Sequence, residues 1–269
     1  SIISIFNIYF IIMDSVVDSS PSNNEMIAYE PSIPPEPLIL NTPLVYPEIT
    51  PELASNITNL LFIDTNVYSK QVFVDSVNSS TFPIVYSYDS SKTDLDNLLN
   101  TVLGNSNIKR LAFCFHCPGN LSTRFLDGKL LFDENEAEPY SENTQYLLDL
   151  VAKYNITNID FLACNTLQYD QWTQYYSIFQ QKNVEVGASN DATGNLKYGG
   201  DWIMESTGKD VEFIYFTNGI ENYSYLLYNI WISGFLYSIT SVATLLSVDT
   251  SYLGVGDITI PSSVNDGNT

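Results

Sequence analysis

Apolar positions along this chain follow two rhythms, and their alternation sketches a fold. Short strand-like segments occur at Leu60-Leu61-Phe62-Ile63-Asp64, Pro83-Ile84-Val85-Tyr86-Ser87, Arg110-Leu111-Ala112-Phe113-Cys114-Phe115, Ile159-Asp160-Phe161-Leu162-Ala163 and Val184-Glu185-Val186-Gly187. The first of these, a short apolar run, has the form of a parallel strand buried on both faces. Between them the period changes. Leu95, Leu98, Leu99 and Val102 recur at helical spacing, behind Ser90/Ser91 as a cap and ahead of Gly104. Leu147, Leu148 and Val151 share one face of a predicted helix from Ser141 to Tyr154, Trp172 to Gln181 predicts another, and Ser69 to Val77 a helical turn or two. Alternating strands and helices predict an α/β domain of three layers, a mainly parallel sheet with helices on both faces. Asp201 to Glu205 with Val211 to Phe216 is expected to complete the sheet. Leu121 to Phe125 and Lys129 to Phe132 flank Asp127-Gly128, the pair that a two-residue hairpin turn prefers.

The rhythm is absent at both ends, which sets the expected domains at 1–55, 56–228 and 229–269. The first is expected to be a disordered acidic leader. It carries Asp14, Asp18, Glu25, Glu30, Glu36, Glu48 and Glu52 with no basic residue before Lys70, and Pro31, Pro34, Pro35, Pro37, Pro43, Pro47 and Pro51 break any helix. Ser1 to Ile12 is apolar without a basic flank, and reads either as the end of a signal sequence or as sequence upstream of a start at Met13. After Tyr228, Ser, Thr, Val and Leu alternate through Ser238 to Val248, predicting a β-rich extension.

Charge narrows the partners. Across 269 residues there are 31 acids against 10 basic residues, a formal net charge of −21. Such a field repels phosphate backbones and disfavours nucleic acid, while favouring cationic ligands or basic peptide segments. Three cysteines, Cys114, Cys117 and Cys164, make no disulfide framework. No apolar run reaches the roughly 18–20 residues that span a bilayer. The Asn-x-Ser/Thr triplets at Asn56, Asn78, Asn120, Asn155 and Asn222 are expected by chance in a chain so rich in these residues.

The chemistry concentrates at two strand ends. In open parallel sheets ligands bind where the carboxyl ends of the strands release their loops. His116, the only histidine, leaves the third predicted strand, and Cys164 leaves the fourth. On neighbouring strands they would face one crevice, the imidazole drawing the proton from a thiol whose thiolate is the nucleophile. In a plainer alternative, His116 caps a strand and Cys164 is a small buried apolar residue. A zinc site built from Cys114, His116, Cys117 and Cys164 is a third reading, at poor spacing, since no second close pair of ligands exists.

The ordered motifs Leu61-Phe62-Ile63-Asp64, Phe115-His116-Cys117-Pro118-Gly119-Asn120-Leu121, Ala163-Cys164-Asn165, Ala188-Ser189-Asn190-Asp191-Ala192-Thr193-Gly194 and Gly199-Gly200-Asp201-Trp202 carry a resemblance. Over about Thr58 to Tyr228 the chain resembles an uncharacterised domain near the N-terminus of large bacterial surface proteins and adhesins. That domain is similar in fold to the caspase–gingipain superfamily of cysteine peptidases. The resemblance implies a caspase-like fold with His116 as catalytic histidine, Cys164 as nucleophile, and an oxyanion hole from backbone N–H groups at Cys117 and Cys164. It also places Asp191 and Asp201 where the superfamily builds its specificity pocket, where an acid would select Lys or Arg; alternatively Asp191 and Thr193 only hold a turn. Two features depart from the pattern: Cys117 stands where relatives carry Gly, and Leu167, Gln168 and Tyr169 are bulky where relatives are small.

Leu236 to Thr240 and Asp257 to Val264 resemble the first unit of surface-protein leucine-rich repeats, beside the simpler reading of a β-rich extension without repeats. Two functions follow as expectations. One is a cysteine endopeptidase without cofactor, acting on a peptide, a protein or its own chain; the other is an inactive peptidase-like module of a surface protein.

Overall fold

The computed structural model describes residues 42–104, 106–117, 123–133 and 135–227, together with the backbone of three later strands. At its centre lies a five-stranded parallel sheet: β1 (Asn59–Asp64), β2 (Thr81–Tyr86), β3 (Arg110–Cys114), β4 (Asn158–Leu162) and β5 (Glu185–Ala188), in the order β2-β1-β3-β4-β5. All five predicted runs are strands of this sheet, and the α/β class holds. The chain winds outward to β2, then crosses back over β1 to build β3, β4 and β5 in turn. His116 therefore leaves the strand next to the reversal, and Cys164 the strand beside it.

Two apolar layers cover the sheet, one on each face. Along β3, Leu111 and Phe113 face one cluster while Ala112 and Cys114 face the other. The first cluster packs under α2 (Lys92–Asn97, continued by the π turn Leu98–Val102), α3 (Glu142–Tyr154) and α4 (Asp170–Gln180). Phe62, Phe113 and Phe161 stand in register on three adjacent strands, their rings stacked 5.1 and 5.6 Å apart. Each such ring contributes about 3 kcal/mol by leaving water. Ser91 and Ser141 cap α2 and α3 through the backbone N–H groups of Thr93 and Thr144. The second layer is built from α1 (Lys70–Ser76) and the segment from Trp202 to Leu227.

The expected hairpin is present between Thr123–Arg124 and Leu130–Phe132, with Asp127 and Gly128 both at positive φ, 55° and 68°. That backbone is the reason for the Asp-Gly pair. Val211 to Phe216 does not extend the sheet. Glu212–Tyr215 is a helical turn, and Ile203–Met204 pairs with Lys209–Asp210 in a separate hairpin. The buried side chains Val211, Tyr215 and Phe216 fit a helical turn, a period that a six-residue window hides.

The expected leader 1–55 overlaps the described body in its last part. Leu44 is buried, Val45 bridges Val85 of β2 in antiparallel fashion, and Pro51–Ala54 forms one helical turn that buries Ala54. Residues 1–41 and the segment Gly256 to Val264 lie outside the described residues. Beyond Leu227, β6 (Asn229–Ile232), β7 (Phe235–Ser238) and β8 (Thr244–Val248) form an antiparallel sheet in that order, in keeping with a β-rich extension. Among the described residues no helix is long and apolar enough to cross a membrane.

Two buried polar centres sit within the second layer. At mid-sheet, Asp160 accepts hydrogen bonds on Oδ2 from Arg110 Nε and Nη2, at 3.2 and 3.0 Å, and from the Tyr215 hydroxyl. Burial raises the Asp160 carboxyl and Arg110 pulls it back. Gly187 makes the space, since a Cβ there would stand 2.0 Å from Asp160 Oδ1. The other polar centre lies at the carboxyl edge.

Candidate functional site at the carboxyl edge of the sheet

Strand register brings His116 and Cys164 to one place. Cys114 and Leu162 are register partners on β3 and β4, and each catalytic candidate follows two residues later. Cys114, Leu162 and Cys164 belong to the second apolar layer, so the Cys164 thiol points into it. Cys117 packs in the first layer, on the opposite face. No disulfide joins the three cysteines.

The thiol is wholly buried and engaged. The Thr193 N–H donates to Cys164 Sγ at 3.1 Å, and Sγ lies 3.6 Å from the Thr193 carbonyl oxygen, to which its S–H can donate. Burial raises the thiol pKa, and the Thr193 N–H offsets only part of the rise. The residue is therefore a neutral thiol in this arrangement. No helix begins at the thiol to favour a thiolate: Asn165 turns left-handed at φ 59°, a 3-10 turn covers Thr166–Gln168, and α4 starts at Asp170. The bulky residues after the cysteine turn away from it. Leu167 and Tyr169 pack on the first layer, and Gln168 Nε2 donates to the Asn190 carbonyl at 2.7 Å.

The imidazole is held in a different state. Both His116 ring nitrogens are buried without a hydrogen-bond partner of good geometry. Burial lowers the ring to about 4, with the Leu227 backbone favouring its charged form. A neutral imidazole at neutral pH is the form able to accept a proton from a thiol.

Leu227 meets both candidates. Its carbonyl oxygen accepts from the Cys164 N–H at 3.4 Å, so the backbone donor expected to form an oxyanion hole already holds a carbonyl. The Leu227 N–H donates to the Thr193 carbonyl at 2.9 Å, and Leu226 pairs antiparallel with Gly194. The strand-like segment Tyr225-Leu226-Leu227 thus runs along Thr193-Gly194 and ends over Cys164. Two glycines give it room. A Cβ on Gly194, whose φ is 145°, would stand 2.8 Å from the Tyr225 carbonyl oxygen, and one on Gly200 would stand 2.6 Å from Leu226 Cδ2.

The predicted pocket acids lie nearby but act locally. Asp191 Oδ1 accepts from the Ser189 hydroxyl at 3.1 Å and its backbone carbonyl accepts from the Asn165 N–H at 2.8 Å, while Asp201 Oδ1 accepts from the Ile203 N–H at 2.9 Å. These bonds match the alternative in which the acid holds a turn. Glu205, which the sequence did not single out, completes a trio: one carboxylate oxygen each from Asp191, Asp201 and Glu205 lie within 4.8 Å of one another. Burial and the charges of Glu205 and Asp201 raise the Asp191 carboxyl. Among the described residues that trio is the sole group of three or more His, Cys, Asp or Glu ligand atoms at such spacing, so no trio forms from Cys114, His116, Cys117 and Cys164.

Sequence reasoning also missed Thr193 as the thiol's partner and Leu227 as its cover. The Gly194 and Gly200 positions were a usable signal, because a glycine in a loop often marks close backbone approach.

Fold and site together define an α/β domain with a thiol and an imidazole on adjacent ends of a parallel sheet. Residues 60–227 match the family described as a domain of unknown function, DUF4347, and the chain belongs to that family. No curated protein and no solved structure matches it.

Proposed function

We propose that this domain is a cysteine peptidase of caspase–gingipain type within a surface-associated protein, with Cys164 as nucleophile, His116 as general base and a peptide or protein as substrate. One observation carries the reading: a carbonyl oxygen rests on the backbone N–H of a strand-end cysteine, beside a neutral, unpartnered imidazole. Acyl transfer to a thiol needs those three parts, namely a nucleophile, a base that can take its proton, and a donor aimed at the carbonyl oxygen.

A second reading has its own support. Cys164 is buried and bonded to Thr193 rather than to His116, which favours an inactive, peptidase-like module that presents the region following it. Thiol reactivity separates the two. Under the peptidase reading iodoacetamide modifies Cys164 of the native protein ahead of Cys114 and Cys117, and His116→Ala slows that modification alone. Equal rates at all three thiols, or a Cys164 rate untouched by His116→Ala, would leave the inactive module.

A further inference from the structure

We propose that Leu227–Tyr228 is a peptide bond this chain cuts in itself, with Tyr225-Leu226-Leu227 lying in the cleft as the substrate strand. The inference rests on the peptidase reading and adds a substrate to it, a bond after leucine presented in cis. Four observations meet at Leu227. Its carbonyl oxygen sits on the Cys164 N–H, the donor that would stabilise an oxyanion. The unpartnered His116 ring lies beside its backbone. The segment pairs antiparallel with Thr193-Gly194, as extended peptides bind to a strand-like partner. Gly194 and Gly200 lack the Cβ atoms that would meet this segment, so the groove is shaped for a passing backbone.

The side-chain environment also suits the assignment. Leu227 has no exposed surface and belongs to the second apolar layer with Trp202, Phe216, Ile220 and Tyr223. The subsite that holds the residue before the bond is therefore apolar in this chain. Asp191 and Asp201, bound within their own turns, are not needed to choose it.

The step balances with water as the one co-reactant. The Cys164 S–H proton passes to His116 as Sγ bonds to the Leu227 carbonyl carbon, and the carbonyl electron pair moves onto the oxygen held by the Cys164 N–H. The carbon–nitrogen bond to Tyr228 then breaks, and His116 returns the proton to the departing amine. Water hydrolyses the resulting thioester, leaving a Leu227 carboxylate and the thiol restored. Holding the carbonyl against its donor removes the entropy of bringing substrate to the site.

The test uses the full chain. Purified protein is incubated and followed by intact mass and N-terminal sequencing. The expected result is a fragment ending at Leu227 and a new amino terminus at Tyr228, appearing with first-order kinetics independent of protein concentration. Both are lost in Cys164→Ala and in Tyr228→Pro, with unchanged circular dichroism. A terminus elsewhere, or one that persists in Cys164→Ala, overturns the proposal. So does an intact wild-type chain. In that case Leu227→Asp, which displaces the segment from an apolar site, separates the two levels. If Cys164 of Leu227→Asp then reacts with iodoacetamide ahead of the other thiols, the peptidase reading survives and only self-cleavage fails. If it does not, both fail.

Discussion

The two polar centres of the second layer solve burial in opposite ways. At mid-sheet, Asp160 is surrounded by donors: Arg110 bonds it through two nitrogens, Tyr215 adds a hydroxyl, and Gly187 leaves the carboxylate its space. At the carboxyl edge, His116 keeps two buried nitrogens without partners, and Thr193 Oγ1 is likewise unpartnered. A buried polar group without a bond costs about 1–3 kcal/mol. A satisfied network fixes a structure, whereas an unsatisfied one keeps capacity for a proton or a ligand. The contrast separates a centre whose polar groups are bonded from one whose groups are not, without reference to sequence motifs.

The comparison is most severely tested at Asp160. Asp160→Ala strands the Arg110 guanidinium against an apolar layer, and unfolding titrations should show a loss of about 3–5 kcal/mol. A loss under about 1 kcal/mol would mean that the network is solvated and the contrast is false.

A slightly smaller effect is expected from pH. His116 is the only histidine, and its folded pKa lies near 4 against an ordinary value of 6.5. The unfolded chain therefore binds a proton between those values that the folded chain refuses. Stability from this group is complete above pH 6.5 and is lost as pH falls toward about 4, up to about 3 kcal/mol. Asp191 is shifted upward, which acts with the opposite sign, so the difference between wild type and His116→Gln isolates the histidine. Parallel stability curves for the two proteins from pH 7 to 4 would show a solvated ring.

Gly187→Ala sharpens the mid-sheet side, because the added methyl must displace the Asp160 carboxylate. A loss of about 2 kcal/mol is expected by thermal melting. The smallest effects belong to the thiols. Cys114→Ala and Cys164→Ala should each cost about 1 kcal/mol, from a small cavity in the first case and a lost Thr193 bond in the second. Only the second should remove the thiol modification that His116 promotes. Equal thiol chemistry in both variants would make Cys164 another packing residue.

Much of this fold was legible in the sequence because double-sided burial leaves a plain mark. A strand covered on both faces cannot alternate, and Leu60 to Ile63 obeys that rule at every position, whereas Glu185 on the outer strand β5 is exposed between buried Val184 and Val186. Asp127-Gly128 and the Ser91 cap were readable for an equally local reason. The error at Val211–Phe216 came from a window too short to separate periods of two and 3.6. Placing His116 and Cys164 required only strand order, so their proximity was legible. Their covering was not. Nothing in Tyr225-Leu226-Leu227 announces a partner at Thr193-Gly194, and contacts between distant segments leave no periodic trace. Leu44 and Val45 were hidden likewise among prolines and acids that suggest an open tether.

The bridge from Val45 to Val85 has a counterpart at the other side of the sheet. There Ser206 donates from its N–H to Ala188, receives the Ala188 N–H on its hydroxyl, and donates that hydroxyl to Val186. Both outermost strands, β2 and β5, thus spend backbone groups on their own chain. A parallel sheet with bare margins invites a stranger's strand, the first step toward amyloid-like stacking. Here an intruder must first peel away the stretch around Val45 or dislodge Ser206. A lateral defence of this kind keeps the sheet from becoming a template along its sides.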